Sequence, residues 1–357
     1  MPPDAKEPSL VEALLVMSSA LVIELLMIVR QGVFWDATTY WLDNRSYTNI
    51  TLVLLGRKAS ASLTEHHFWG LPYLTAAVST ATSASIPFSL SAISIAAALC
   101  TCVLIQRMYG GWVATVFAAI SVEWLRLSLL GGSEPLFMCL LLASFLAARS
   151  NRWELAAFVA AVATTVRPVG IIALVAMAGV LAAQRKWKTL CVSAALAASV
   201  ACLYFIPIYL LVGDPLINIE RYRTDWGASG FPLTLPFVTM IQSYKEMTHT
   251  GTWGGWSRYI MWPLILLVSL AFLISRKARW RLLNEHPAEA AFAALYLAFL
   301  VSYTYLSIAW HLPRFIIPLL PIILFLMKDI LPKNRWIVYS GVALAAVIAG
   351  RSAVNGF

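Results

Sequence analysis

The stretch TLCVSAALAASVACLYFIPIYLLV, residues 189–212, runs for twenty-four residues without one charged side chain. About 20 apolar residues carry an α-helix across a hydrocarbon core, so this segment reads as a transmembrane helix. The rest of the chain has the same character: 60% of its 357 residues are apolar, 12% are charged, and the mean hydropathy is +0.77. Ordinary soluble chains carry about a quarter charged residues. Here the charges sit between long uncharged runs, so the expected class is an all-α, polytopic membrane helix bundle, a single domain over residues 1–357.

Outward from residues 189–212, eleven spans are expected, at about 9–29, 86–106, 112–130, 134–148, 153–166, 168–184, 189–212, 259–275, 289–308, 312–328 and 336–350. Arg149 and Arg152, then Arg185, Lys186 and Lys188, then Arg276, Lys277, Arg279 and Arg281, then Lys328, Lys333 and Arg335 all fall on one side if the count is eleven. By the positive-inside tendency that side is cytoplasmic, with the N-terminus inside and the C-terminus outside. The net charge of +9 is then an orientation signal, and no nucleic-acid partner is expected. The run from Leu10 to Val29 is too long for a signal-peptide core and lacks a basic leader, so it is expected to remain as the first span. Cys100, Cys102, Cys139, Cys191 and Cys202 all lie in apolar segments, and no structural disulfide is expected. Neither an internal repeat nor a matched pair of Gly/Pro-broken spans is visible, which weakens a transporter reading.

Two long loops, residues about 30–85 and 213–258, emerge on the opposite, extracytoplasmic or lumenal side, and loops of that length usually have a function. The first carries Asp36, Tyr40, Asp43, Glu65, His66 and His67 among aromatics; the second carries Arg221, Arg223, Trp226, Tyr244, His249 and Arg258. Many of the aromatics suit a headgroup-level belt. Helix ends on the same side add Glu134, Arg167, His311 and Arg314. Ser133-Glu134-Pro135 reads as an N-cap with an acid in the first turn, and Arg167-Pro168 and Pro313-Arg314 as helix starts with Pro near N1. Arginine at a helix N-terminus opposes the macrodipole. An anion between each arginine and its amide end removes that conflict, and a phosphate is the natural candidate.

Asp36 stands at the membrane exit in Val33-Phe34-Trp35-Asp36-Ala37-Thr38-Thr39-Tyr40, where a carboxylate is costly unless paired or used. Glu65-His66-His67 lacks the i, i+4 spacing that aims two imidazoles at one ion, so acceptor binding by hydrogen bonds is favoured over a divalent metal, and no cofactor is expected. Inside the bilayer, Glu123 and Arg126 sit at i, i+3 and can neutralise each other, whereas Glu24 has no partner nameable from sequence. Asn44-Arg45-Ser46 and Asn49-Ile50-Thr51 match the N-glycosylation pattern.

Phe34-Trp35-Asp36-Ala37-Thr38-Thr39-Tyr40, Gly131-Gly132-Ser133-Glu134-Pro135-Leu136-Phe137, Ala163-Thr164-Thr165-Val166-Arg167-Pro168-Val169-Gly170 and the run His311-Leu312-Pro313-Arg314 to Pro321 follow one another on a common membrane side. Together they resemble the glycosyltransferase C superfamily, in particular the mannosyltransferases of glycosylphosphatidylinositol-anchor type and their bacterial homologues, over about residues 9–328. The resemblance implies a multi-pass enzyme of the bacterial inner membrane or endoplasmic reticulum. It implies transfer of mannose or another hexose from a polyprenyl-phosphate donor to a glycan, lipid or peptide acceptor on the outer side. It also implies that Asp36 is the catalytic base, with Asp43 a less convincing second acid. The loop after the seventh span is short beside members that carry an additional soluble domain.

The chemistry fits independently. A base must strip the acceptor hydroxyl as it attacks the anomeric carbon, while the departing phosphate needs no general acid. Fixed cations best meet the leaving group's growing charge, the role expected of Arg167, Arg314 and His311. Tyr40, Asp43, Glu65, His66, His67 and Glu134 are the expected acceptor-side groups. A single displacement gives inversion. The rival classes are a transporter or lipid-linked-sugar flippase and a non-enzymatic assembly subunit.

Overall fold

The computed structural model describes residues 7–40, 43–60, 67–225, 235, 238, 276–302, 314–331 and 333–355. Among these residues the regular structure is entirely helical. The chain runs α1 (Leu10–Arg30), α2 (Phe34–Tyr40), α3 (Asn44–Leu54), α4 (Gly70–Thr82), α5 (Ile86–Tyr109), α6 (Gly111–Ile120), α7 (Val122–Leu130), α8 (Glu134–Arg149) and α9 (Trp153–Val166). A 3-10 turn (Pro168–Gly170) leads into α10 (Ile171–Ala183), then α11 (Trp187–Val212) and α12 (Ile217–Asp225). After an undescribed stretch come α13 (Arg276–Glu285), α14 (Pro287–Ser302), a 3-10 turn (Ile317–Leu319), α15 (Leu320–Leu326) and α16 (Arg335–Asn355).

Among the described residues three helices, α1, α5 and α11, are long and apolar enough to cross a membrane, or four if α6 and α7 count as one bent span. This is the character of an integral membrane protein. The expected segments 134–148, 153–166 and 168–184 do become helices, but α8, α9 and α10 hold only 16, 14 and 13 residues. The expected span at 259–275 and most of the second outer loop lie outside the described residues. The first outer loop is not irregular: it folds into α2, α3 and α4.

The expected continuous span at 112–130 is instead bent by 78°. Ser121 takes an extended conformation, and its Oγ accepts the backbone N–H of Trp124 at 3.1 Å. A serine that caps the second half stabilises a fresh helix start in place of the continuing ladder.

Small residues set the packing. α8 and α9 pack together as an antiparallel pair, and their buried residues include Ser144, Ala147, Ala148, Ala156, Ala160 and Ala163. Small side chains of this kind let two helix backbones approach closely and gain van der Waals contact. α1 begins at a capping box formed by Ser9 and Glu12 and lies along α16. Glu12 Oε1 is 3.2 Å from Arg335 Nε and accepts the Tyr339 hydroxyl, at the first turns of both helices. Near their other ends a Cβ on Gly350 would meet Met27 Cβ at 3.0 Å. The two helices are therefore parallel, and glycine is what admits the closest point of contact.

Candidate functional site

The site forms where three turns are pinned to one level. Asn44 Nδ2 donates to the carbonyls of Thr38 (2.9 Å) and Leu130, tying the end of α2 and the start of α3 to the end of α7. Gly131 then turns the chain at φ +96°, with a Cβ there only 2.9 Å from Leu90 Cβ of α5, so both conformation and space require glycine. Ser94 Oγ donates to the Gly132 carbonyl at 2.8 Å. α4 is anchored from the side: the Trp69 backbone N–H donates to the Tyr204 hydroxyl of α11 at 3.1 Å, and Phe68 stacks on the Tyr204 ring. That anchor fixes His67, the residue before Phe68.

Within this frame Glu134, 2% exposed, accepts on Oε1 from both Arg167 Nη1 and Arg314 Nε. Arg314 passes Nη2 to Asp43 Oδ2, and His67 Nε2 lies 3.1 Å from Asp43 Oδ1. Ser133 Oγ accepts from the Tyr47 hydroxyl at 2.9 Å and from Arg167 Nη1 at 3.1 Å, and donates to Glu134 Oε2 at 3.5 Å. The Tyr47 ring meets the His67 ring edge-on. Two guanidinium groups and two carboxylates so form one continuous network drawn from the α2–α3 junction, the start of α4, the start of α8, the α9–α10 junction and Arg314. Burial pushes the Asp43 carboxyl up, but the charges of Arg314 and His67 outweigh it and hold Asp43 well below the usual carboxylate range. Burial, reinforced by the Asp43 charge, raises the Tyr47 phenol.

Of the expected site residues, Asp43, His67, Glu134, Arg167 and Arg314 come together. Asp36 does not join them: it is exposed in the first turn of α2 and makes no hydrogen bond or ion pair among the described residues. Tyr40 closes α2. Glu65, His66 and His311 lie outside the described residues.

Contacts in the structure bear on three of these readings. Ser133 stands at the N-cap of α8 but its hydroxyl caps nothing, because Tyr47, Arg167 and Glu134 take it. Asn44 is buried with its amide bonded to two carbonyls, so its acceptor pattern is structural. The anions that answer Arg167 and Arg314 are carboxylates of this chain, Glu134 for both and Asp43 for Arg314. Their position at helix starts therefore does not by itself call for a phosphate.

Among the described residues no group of three or more His, Cys, Asp or Glu side chains converges as metal ligands. Asp43 has His67 on one oxygen and the Arg314 guanidinium on the other.

A second buried cluster, unforeseen from sequence, lies at the far end of α8, about 22 Å along the helix from Glu134 at 1.5 Å per residue. Arg149 donates Nε to Glu289 Oε1 at 2.6 Å and Nη2 to Oε2 at 2.7 Å, and its Nη1 donates to the Met108 carbonyl at 2.8 Å. The Tyr109 hydroxyl donates to Glu289 Oε2 at 2.8 Å, and the guanidinium lies 4.9 Å over the Tyr109 ring. This clamp fastens α8 to α5 and α14.

Compared with known proteins, the chain matches no family model, no curated protein and no solved structure.

Proposed function

We propose that the protein is a polyprenyl-phosphate-sugar-dependent hexosyltransferase of glycosyltransferase C type, acting on the extracytoplasmic or lumenal side with inversion. One observation carries the reading. Two arginines from separate segments converge on a buried glutamate beside the helix that presents Asp36, and Arg167 keeps Nε and Nη2 without a partner among the described residues. Those donors suit a phosphate held next to an acid. Asp36 is the better base of the two loop acids: Asp43 is committed to Arg314 and His67, which lowers its basicity, while Asp36 is exposed. In the step proposed, Asp36 takes the acceptor hydroxyl proton as that oxygen bonds to the anomeric carbon. The carbon–phosphate-oxygen bond breaks, and the electron pair leaves with the polyprenyl phosphate.

The eleven-span topology belongs to this proposal. The parallel run of α1 and α16 supports it, since an odd number of crossings sends the first and last helices the same way. The shorter apolar helices α9, α10 with its 3-10 turn, α14, and α15 with its 3-10 turn then serve as further crossings.

The alternative, a transporter or lipid-linked-sugar flippase, draws on the bend at Ser121. It lies beside the Glu123–Arg126 pair (3.1 Å), whose charges act on buried Glu24. Broken helices with ionisable groups mark transport sites.

The test is incubation of the purified protein with a panel of radiolabelled polyprenyl-phosphate sugars and lipid or glycan acceptors. Transfer of label that disappears in Asp36→Asn supports the proposal. Label that crosses a proteoliposome membrane without ever joining an acceptor overturns it in favour of the flippase.

A further inference from the structure

We propose that the end of the bundle opposite the site is a binding surface for anionic phospholipids, on which exposed tryptophans flanked by basic side chains hold acidic headgroups of the adjoining leaflet. The pattern recurs at three separate helices. Lys186-Trp187-Lys188 opens α11, Arg279-Trp280-Arg281 lies within α13, and Arg335-Trp336 opens α16, with the tryptophans 58%, 61% and 79% exposed. Their common level follows from contacts. Lys186 Nζ stands 5.7 Å over the ring of Trp153, which opens α9 just after the Arg149 end of α8. Arg335 reaches Glu12 at the start of α1, and Lys328 Nζ lies 3.3 Å from Glu7 Oε1. α13 packs on α14 and α15 with Leu282 buried beneath it.

Two features choose lipid over an acidic soluble protein. The cations are interleaved with exposed apolar groups, Leu283 one turn from Trp280 and Ile337 next to Trp336. A surface that is both greasy and cationic fits the boundary between acyl chains and headgroups, where Trp settles and each nearby Lys or Arg draws anionic lipid. The comparison with the site end sharpens this. There the exposed Trp35 is flanked by Phe34 and Asp36, with no cation beside it. The proposal rests on membrane embedding alone and stands whether or not the transfer chemistry does.

The experiment offers detergent-purified full-length protein an equimolar mixture of phosphatidylcholine and phosphatidylglycerol, then counts the co-purifying lipids by mass spectrometry. Phosphatidylglycerol is expected to be enriched several-fold at low salt and to approach parity near 1 M salt, where the Debye length shrinks to about 3 Å. Neutralising the exposed Lys188, Arg276 and Lys277 to Gln is expected to bring the enrichment close to parity. Trp187→Leu with Trp280→Leu is expected to lower retention of both lipids while preserving their ratio. Parity in the wild type at low salt, enrichment insensitive to salt, or enrichment unchanged in the triple variant overturns the proposal. So does binding of soluble polyglutamate without any lipid preference, which points to an acidic protein partner instead.

Discussion

Glu289 and Glu134 are both buried carboxylates gripped by arginine, met at opposite ends of α8, and they are treated differently. At Glu289 one arginine meets one glutamate through two parallel hydrogen bonds, its third nitrogen satisfies a carbonyl, and a tyrosine hydroxyl completes the second oxygen. Each guanidinium nitrogen and each carboxylate oxygen is occupied, which is how a buried ion pair offsets its desolvation. At Glu134 two arginines crowd one oxygen and, among the described residues, the other oxygen receives only a long bond from Ser133 and donors on Arg167 are left over. A saturated cluster works as a fastener. An unsaturated one has donors to offer a further anion.

The comparison can be broken in several places. The largest expected effect is on Asp36, outside both clusters: Asp36→Asn should lower transfer by about 10²–10⁴-fold, the usual share of a general base, with unfolding temperature unchanged. Retention of more than about a tenth of wild-type turnover removes Asp36 from that role. Next comes the fastener itself. Glu289→Ala strands Arg149 and should cost about 3–5 kcal/mol in chemical denaturation, and added inorganic phosphate should restore nothing. Glu134→Gln, by contrast, should regain stability as phosphate is titrated in, since Arg167 then lacks its anion and Arg314 keeps only Asp43. Equal behaviour of the two variants toward phosphate erases the distinction drawn here.

Arg167→Ala and Arg314→Ala should each lose roughly 1.5–3 kcal/mol of donor binding, about one to two decades in affinity. Lysine at either position should rescue only in part, because the planar fork is lost. Steady-state kinetics with donor varied at saturating acceptor decides the matter. Unchanged donor dependence in both variants moves the phosphate to Arg221, Arg223 or Arg258.

The remaining effects are smaller. Asp43 is held below its unfolded value of about 3.9, so its stabilising contribution is fully present above that pH and is lost as pH falls from there toward the lower folded value. Asp43→Asn should flatten that acid limb in a series of thermal melts, and a limb of undiminished slope shows that Arg314 and His67 do not act through it. Glu24 is buried, and neither carboxyl oxygen is bonded among the described residues. Glu24→Leu should therefore raise stability by about 1 kcal/mol, an unpartnered polar group being costlier than an apolar one of similar size. A loss of that size instead means that the acid is in use.

The helices were legible because apolar runs between Pro, Gly and charged punctuation leave few other options, and Glu123 with Arg126 was legible because i, i+3 is a local relation. The anion that answers Arg314 was not. Its partners lie 180 residues away at Glu134 and 271 away at Asp43, and nothing local in sequence encodes such a pairing. The clamp of Arg149 on Glu289 escaped for the same reason, across 140 residues. Ser133 shows a subtler failure: a residue that suits a cap was diverted, because tertiary partners offered its hydroxyl three bonds. The bend at Ser121 had no proline or glycine to announce it.

The parallel contact of α1 with α16 has a bearing on how the protein is made. Tyr339 and Glu12 are separated by 327 residues, and ribosomes add about 5–20 residues each second. α1 thus waits roughly 16 to 65 seconds before the helix that covers its flank has been synthesised. During that interval the Glu12 carboxylate and the Met27 side chain, which later packs on Gly350, face lipid, a chaperone or another chain. The α1–α16 contact therefore forms only after a long stretch of chain has been made, and a ribosome that stalls before residue 335 leaves that flank of α1 uncovered.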